Sequence, residues 1–255
     1  MQPEILFQDE NYLIVNKPSG MIVNNADTSK DLFTLQDFIN KNFPARLASE
    51  SVAGRQLSTF NSELGSASEF LNRGGIVHRL DKETSGVLIV ALNEESFAFL
   101  QQQFKDRTTK KEYTALCHGK LVEEGEINVP IGRLPWNRMR FGVIPQGRES
   151  YTKFKTIEHK VLLDGKNKED LSLVRVFPLT GRTHQIRVHF QYAGHPIFAD
   201  SLYAGRKTYD HDKHYLNRHF LHASNITFIS PTTKETVTYE APLSPELVAF
   251  LAQLS

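Results

Sequence analysis

His78–Gly86 reads HRLDKETSG and runs directly into the apolar segment Val87–Ala91. The nonapeptide is too polar and too rich in turn-forming residues for a core, whereas the apolar segment after the Ser-Gly break is typical of a short buried strand. The pattern therefore predicts that Asp81 lies on a loop held by a rigid strand, which is a common position for catalytic groups. Arg79 and Lys82 flank Asp81 and favour its ionised form, as a nucleophile or base requires. From the charges alone, a surface turn with ordinary ion pairs is the simpler interpretation.

The composition is that of an ordinary globular chain. It has 255 residues, of which 40% are hydrophobic and 23% charged, and a formal net charge of +1. This length can bury a sizeable core in one large domain or two small ones. The single cysteine, Cys117, excludes an internal disulfide and a cysteine-clustered zinc site.

Residues 1–20 lack the apolar core of a signal peptide. No run of the sequence approaches the 18 apolar residues that a membrane span needs. We therefore expect a cytoplasmic protein without a membrane partner.

Apolar periodicity predicts short strands and amphipathic helices. Ile5–Phe7 and Tyr12–Asn16 flank a polar turn, as in a hairpin. Thr34–Phe43 and Glu94–Asp106 have helical spacing, and Asn93 is a suitable cap for the second helix. Further strands are expected at Tyr113–Leu116, Leu171–Leu179, His219–Ile229 and Thr236–Tyr239, and a last helix from Ser244 to Leu254.

Three blocks of the sequence resemble one enzyme family. Ile76–Gly119, IVHRLDKETSGVLIVALNEESFAFLQQQFKDRTTKKEYTALCHG, resembles the central block of the RluA-type pseudouridine synthases. Ile5–Val23, ILFQDENYLIVNKPSGMIV, is similar to the first motif of the family, although a structural turn fully explains its Lys-Pro-Ser-Gly break. The third motif is matched by TGRTHQIRVH followed by AGHPIFAD. The ordered series is far more specific than any one of the short motifs.

The resemblance implies an α+β fold with a single mixed, largely antiparallel sheet and flanking helices. It implies one catalytic domain over residues 1–255, with a loop insertion at about residues 44–69. Some relatives carry a small S4-type RNA-binding domain before the first motif, and we expect none here. The chain is expected to be a monomer.

The family's chemistry assigns three catalytic residues. Pseudouridine formation detaches uracil from C1′ of the ribose, turns it and rejoins it through C5, so no redox cofactor is needed and we expect none. The resemblance implies that Asp81 is the catalytic carboxylate, paired with Arg187, and that Tyr113 stacks on the pyrimidine and can transfer a proton. Whether Asp81 adds covalently or abstracts a ribose proton is left open by the sequence.

The substrate of such an enzyme is structured RNA, ribosomal or transfer, whose target uridine must leave its stack. Arg79 matches a family arginine that occupies the vacated space or clamps the flipped nucleotide. The stretch Gly132–Arg148 contains four arginines, Trp136 and no acidic residue before Glu149, which favours RNA contact over a solvated connection. The full set of predicted substrate-binding residues is Arg79, His78, Thr84, Arg182, Arg138 and Arg140.

Ten histidines raise the alternative of a metal site. His184 and His189 are spaced i, i+5, which does not align two ligands on one helix face. His211–His222 contains four histidines without a carboxylate in a ligand pattern, and it is interpreted as a polar loop that enters the last strand. No metal site is expected.

Two other functions remain as alternatives. A glycosidic hydrolase usually needs a second carboxylate at a defined separation, and none is evident near Asp81. A non-catalytic RNA-binding or assembly factor with the same fold is the second alternative, and substitution of Asp81 distinguishes it from an enzyme.

Overall fold

The structure is a computed structural model that describes residues 2–25, 32–44 and 69–255. Almost all of the predicted insertion at residues 44–69 lies outside the described residues. Within the described ranges, no helix has the length and apolar character needed to cross a membrane.

The chain combines helices with a large sheet. The strands are β1 Glu4–Gln8, β2 Tyr12–Lys17, β3 Ser85–Ala91, β4 Lys110–His118, β5 Glu124–Asn128, β6 Ile131–Leu134, β7 Asn137–Val143, β8 Tyr151–Asp164, β9 Asn167–Pro178, β10 Leu221–Ile229 and β11 Thr236–Glu240. The helices are α1 Leu35–Asn42, α2 Glu94–Lys105, α3 Gln185–Tyr192, α4 Arg206–Asp212 and α5 Pro245–Leu251.

Nine of the described strands form one sheet in the order β1-β2-β3-β10-β4-β9-β8-β5, with β11 paired to β10, and β6 and β7 form a separate hairpin. The β3–β10 pairing is parallel, whereas β1–β2, β4–β9, β8–β9 and β5–β8 are antiparallel. The α+β class with a mostly antiparallel sheet is therefore as the sequence predicted. The chain divides into two compact units, and the single-domain assignment stays a prediction.

Unit 1 comprises residues 1–82, 87–109 and 227–239. Its hairpin β1–β2 forms as predicted, and the Tyr12 ring packs on Phe7 and Phe228 with centroid separations of 5.2 and 5.5 Å. The Tyr12 hydroxyl is 2.7 Å from that of Tyr239, so each buried polar tip of this aromatic cluster has a partner.

Capping side chains fix both helices of unit 1. Thr34 and Asp37 form a reciprocal capping box at the start of α1, and the Asn93 side chain accepts from the Ser96 N–H at the start of α2. The Gln103 amide of α2 donates to the Ile229 carbonyl at 2.9 Å and accepts from the Ile229 N–H at 2.8 Å. A side chain thereby closes backbone hydrogen bonds that a neighbouring strand would otherwise provide.

Unit 2 comprises residues 83–86, 110–226 and 240–255. Its antiparallel strands β4, β9, β8 and β5 carry the main core, in which Leu116, Val174 and Phe198 are completely buried. Phe190 of α3 packs on Phe154 of β8 with ring centroids 5.4 Å apart. The sheet thus provides a rigid base on which α3 rests.

The β3–β10 pairing requires a glycine. Gly86 is paired with Ala223 and has φ +116°, and a Cβ added at Gly86 would lie 2.1 Å from the Ala223 carbonyl oxygen. The two backbones approach each other too closely for any side chain at this position.

The structure refines two sequence interpretations. Within residues 132–148, β6 and β7 form an antiparallel hairpin with Arg133 opposite Phe141. The predicted polar loop is shorter than His211–His222, because His211 lies in α4 and His222 in β10, whereas residues 213–220 between these elements belong to no helix or strand.

We predict that Gly86→Ala lowers the free energy of unfolding by more than about 2 kcal/mol, since it combines a positive φ with a backbone clash. Urea unfolding followed by circular dichroism measures the change. Gly205→Ala is the matched control, because Gly205 has φ +87° and no atom within 4 Å of the added Cβ. If both variants lose the same stability, backbone strain alone explains the glycine and the close approach is irrelevant.

Candidate active site

The loop that carries Asp81 is held in unit 1 by a buried lysine. Lys17 is fully buried, and its Nζ donates to the carbonyls of Pro18, Met21 and Lys82 at 2.9, 2.9 and 3.1 Å. The Gly20 N–H also donates to the Lys82 carbonyl, at 2.8 Å. Lys17 therefore ties the first motif to the residue directly after Asp81, in agreement with the predicted structural role of this lysine.

His78, Arg79 and Asp81 belong to the same segment of unit 1 but differ in exposure. His78 stacks on Phe104 with ring centroids 4.7 Å apart, and its Nε2 accepts from the Ile89 N–H at 3.0 Å. Its ring thus supports the start of the loop from β3 and α2. Asp81 is half-buried and the Arg79 side chain is exposed, so the loop presents both charged groups at the surface of its own unit.

In unit 2, the predicted site residue Arg187 forms a buried ion pair with Asp200. Arg187 donates through Nε to Asp200 Oδ2 at 2.7 Å and through Nη2 to Oδ1 at 2.9 Å. Burial acts to raise the pKa of Asp200, but the Arg187 guanidinium holds it below its ordinary value. Asp200 Oδ1 also accepts from the N–H groups of Leu202 and Tyr203, each at 3.0 Å. Both oxygens of this buried carboxylate therefore accept hydrogen bonds, as a buried ion pair requires.

Tyr203 links this ion pair to the β6–β7 hairpin. The guanidinium groups of Arg187 and Arg140 lie 5.1 and 5.3 Å from the Tyr203 ring centroid, within cation–π range. The Phe141 N–H donates to the Tyr203 hydroxyl at 3.1 Å, and that hydroxyl is 2.8 Å from His184 Nδ1. His184 itself has φ +55° at the residue before α3.

Glu83–Gly86, the part of unit 2 that follows Asp81 in the chain, contacts the same region. Thr84 is buried, and its Oγ1 is 2.8 Å from His219 Nε2. A hydrogen bond with His219 is the largest cause of the lowered pKa of Glu83, and the positive charge of Arg187 contributes. Thr84 therefore has an evident packing role, whereas Glu83 adds a second carboxylate near Arg187 and Asp200.

Tyr113 and Arg182, two further predicted site residues, lie on β4 and in the turn before α3. Tyr113 pairs with Val176 across β4–β9 and is half-buried, with its ring packed on the edge of the main core. Arg182 donates from Nε to the Glu149 carbonyl at 3.2 Å, and its N–H donates to Gln185 Oε1 at 3.0 Å. The turn that precedes α3 is thus fixed by side-chain hydrogen bonds.

The predicted cationic stretch is presented by the β6–β7 hairpin. The Arg133 guanidinium lies 4.9 Å from the Phe141 ring centroid, and Trp136 is 78% exposed at the turn. Arg140 Nε is buried and has no hydrogen-bond partner in the described part of the chain. The Arg138 side chain lies outside the described residues.

The site residues that sequence reasoning missed are Asp200, Tyr203 and Glu83. Both Asp200 and Tyr203 follow α3, and the sequence analysis assigned a role to neither, although Asp200 is the last residue of the quoted AGHPIFAD motif. A lone carboxylate after the apolar run PIFA was the available signal, since an acid there has to be paired if it is buried. The described residues bring three metal-ligating side chains close together at His118, Glu169 and Asp212, none of which belongs to the predicted catalytic set.

Comparison with known proteins identifies relatives over most of the chain. Residues 11–192 match the family model described as RNA pseudouridylate synthase. The protein YlyB of Bacillus subtilis, described as an uncharacterized RNA pseudouridine synthase, is 35% identical over 255 residues, which cover 100% of this chain and 73% of the relative. Ribosomal large subunit pseudouridine synthase C of Vibrio vulnificus is 35% identical over 249 residues, covering 97% of this chain and 68% of the relative. The structure of human RNA pseudouridylate synthase domain containing 1 has a TM-score of 0.71 at 27% identity and covers 100% of this chain and 88% of that one.

We predict that Asp200→Asn lowers the free energy of unfolding by about 3–5 kcal/mol, because it removes the negative charge to which the buried Arg187 guanidinium donates two hydrogen bonds. The double substitution Arg187→Met with Asp200→Leu should recover part of this loss, since it removes both charges, although the Leu202 and Tyr203 N–H groups lose their acceptor. Urea unfolding of each variant measures both effects.

Asp170→Asn is the control, because Asp170 is a half-exposed carboxylate in unit 2 whose ion pair with Lys120 is 3.4 Å long. It should change stability by less than about 0.5 kcal/mol. A double variant that is less stable than Asp200→Asn would contradict the assignment of the cost to an unpaired charge.

Proposed function

Because the chain belongs to the RNA pseudouridine synthase family, in its RluA-type branch, we propose that Asp81 is the catalytic carboxylate for conversion of specific uridines in structured RNA, ribosomal or transfer, to pseudouridine. The observation that carries the proposal is the way Lys17 holds the backbone directly after Asp81 through the Lys82 carbonyl. A catalytic group must be held in place before the substrate arrives, and this lysine fixes its loop.

The proposed chemistry breaks the C1′–N1 bond and forms a C1′–C5 bond within one nucleotide. The proton on C5 leaves and N1 gains one, so atoms and electrons balance without a redox partner. Asp81 acts at the sugar or the base as a nucleophile or a general base, and either role requires its ionised form.

Arg187 and Tyr113 complete the proposed catalytic set. Asp200 binds the Nε and Nη2 donors of Arg187, which fixes the plane in which its remaining N–H groups lie. The half-buried Tyr113 supplies a ring for stacking and a hydroxyl for proton transfer.

Substrate binding is proposed to involve exposed and half-buried cations. Arg79 is exposed in the loop of Asp81, and Arg182 lies at the turn before α3. Arg140 is half-buried in the β6–β7 hairpin, and it is proposed to contact an RNA phosphate. Arg138, His78 and Thr84 complete the proposed set, although the contacts of His78 and Thr84 described above are with the protein itself.

The first experiment maps pseudouridines in total ribosomal and transfer RNA from cells that lack the gene and carry wild type, Asp81→Asn or Asp106→Asn. We expect a site to disappear with the deletion and to return with wild type and with Asp106→Asn, whose carboxylate is exposed at the end of α2. Asp81→Asn should not restore the site, because removal of an acting carboxylate lowers the rate by at least about 100-fold.

Filter binding of the affected RNA distinguishes loss of chemistry from loss of folding. Asp81→Asn should bind that RNA as tightly as wild type. Restoration of the pseudouridine by Asp81→Asn refutes the catalytic assignment. Restored growth or ribosome assembly without the modification would instead favour the alternative of an assembly factor.

The β6–β7 hairpin generates a second prediction. Arg133 and Arg148 are exposed, so the double substitution Arg133→Glu with Arg148→Glu should weaken binding to RNA of any sequence. The slope of log K against log salt concentration should become shallower by about 0.7–0.9 for each phosphate contact that is lost.

Arg206→Glu is the control for this prediction, since Arg206 is 95% exposed in α4 and belongs to no proposed RNA contact. An unchanged salt slope in the double variant, or an equal change in the control, would remove the hairpin from the proposed RNA surface.

A further inference from the structure

A second cluster of ionisable side chains lies in unit 2, outside the proposed catalytic set. His118 of β4 is buried, with its Nδ1 2.6 Å from Glu169 Oε1 and its Nε2 3.0 Å from Asp212 Oδ2. Burial acts to lower the pKa of His118, but its hydrogen bonds to the Asp212 and Glu169 carboxylates raise it to about 9. One imidazole thus connects two carboxylates that are 43 positions apart in the sequence, since Glu169 belongs to β9 and Asp212 ends α4.

The second oxygen of the buried Asp212 carboxylate, Oδ1, has no such hydrogen-bond partner within the described residues. Asp212 itself is 0% exposed. The atoms that face it come from His211 and Glu169. His211 Nδ1 lies 3.6 Å from Asp212 Oδ1 and 3.9 Å from Glu169 Oε2.

These separations are too long for hydrogen bonds and fall within the range of ion pairs. An N–H···O bond spans about 2.7–3.2 Å. Ligand atoms that surround a tetrahedral Zn²⁺ ion at bond lengths of about 2.0–2.2 Å are about 3.3–3.6 Å from one another. The two distances from His211 Nδ1 are close to the edges of such a polyhedron, and small side-chain rotations close the difference.

The far side of the His211 ring is also arranged as metal sites require. His211 Nε2 is 3.2 Å from Asp164 Oδ2, so the carboxylate accepts the Nε2 proton and directs the Nδ1 lone pair towards Glu169 and Asp212. A histidine that binds a metal through one nitrogen usually donates its other N–H to a carboxylate or carbonyl. The Ala199 N–H donates to Asp212 Oδ2 at 2.8 Å and orients that carboxylate further.

We propose that His211 Nδ1, Glu169 Oε2 and Asp212 Oδ1 bind a divalent transition-metal ion of the Zn²⁺ class. One imidazole and two carboxylates are a ligand set that Zn²⁺ accepts, and three protein ligands leave a fourth position for water. The ion would contact Asp212 Oδ1, the buried oxygen that makes no hydrogen bond within the described residues. His118 holds the other oxygen of each carboxylate and so sets the spacing between them.

An entry path is present at the same place. A cavity of about 330 Å³ is lined by Asp164, Glu169, His211, Lys168, Lys207 and Thr208. Both lysines and Asp164 are exposed, whereas Glu169 and His211 are half-buried. Water and an incoming ion can therefore reach His211 and Glu169 from solvent.

The site differs from the metal arrangement that the sequence analysis rejected. That test considered histidines spaced along one segment, whereas the proposed ligands come from β9 and from the end of α4, with Asp164 from the end of β8. A metal ion would join α4 to the β8–β9 hairpin, and this role is independent of the RNA chemistry.

The experiment titrates Zn²⁺ into the full, tag-free, chelator-treated chain and measures binding by competition with a chromophoric chelator. We expect one ion per chain for wild type. His211→Ala and Glu169→Gln should each weaken binding by at least about 10-fold, and Asp164→Asn, which changes only the orienting carboxylate, by about 10-fold. Glu169→Gln keeps an oxygen that can accept from His118, so it tests metal binding without removing that hydrogen bond.

His214→Ala is the matched control, because His214 is exposed three residues after His211 and is not in the cluster. It should bind Zn²⁺ like wild type. Thermal unfolding provides an independent readout that does not use activity: Zn²⁺ should raise the Tm of wild type and of His214→Ala, and leave that of His211→Ala unchanged. Absence of Zn²⁺ binding by wild type, or equal affinity in His211→Ala, overturns the proposal and assigns the cluster to ion pairing alone.

Discussion

The buried ion pair between Arg187 and Asp200 is the interaction on which the functional part of unit 2 depends. A guanidinium and a carboxylate that both leave water lose several kcal/mol of hydration each, so the pair is tolerated only with near-ideal geometry. Asp200 meets this condition by accepting four hydrogen bonds, two from Arg187 and two from the backbone that follows it. The same bonds fix Tyr203, which in turn holds the β6–β7 hairpin through the Phe141 N–H. Through Tyr203, this one ion pair therefore connects α3 by hydrogen bonds to a hairpin more than forty positions earlier in the chain.

Unit 1 uses a buried charge in a comparable way. The Lys17 ammonium reaches three backbone carbonyls on two loops, and it converts a flexible connection into one whose position is determined by hydrogen bonds. Charged hydrogen bonds of this kind are stronger than neutral ones, and their loss inside a protein is costly. In both units, therefore, the residues next to the proposed chemistry are positioned by buried cations, and apolar packing provides only the base beneath them.

The sequence predicted the fold class and most elements because hydrophobic periodicity and capping residues are local signals. The hairpin β1–β2, the Asn93 cap and the strands around Tyr113 belong to this class. Family resemblance supplied the expected sheet, and the comparisons with known proteins confirm it.

What could not be predicted depends on pairs of residues that are distant in the sequence. The periodicity around Arg187 cannot show that a carboxylate thirteen positions later is buried beside it. His211 was assigned to a loop for the same reason, since its neighbours Asp164 and Glu169 come from another part of the chain. The assignments of Arg79, Arg138 and Arg182 to RNA binding remain predictions.

The segments of the two units alternate along the sequence, and this order has a consequence for folding during synthesis. Unit 1 contains residues 1–109 apart from the short segment 83–86, yet it also needs residues 227–239. Its contacts between Gln103 and Ile229 and between Tyr12 and Tyr239 close sequence separations of 126 and 227 residues. At a translation rate of about 5–20 residues per second, the ribosome needs on the order of ten seconds to make the intervening chain. During that interval the aromatic cluster around Tyr12 lacks Phe228 and Tyr239, so it can be completed only after residues 227–239 have emerged from the ribosome.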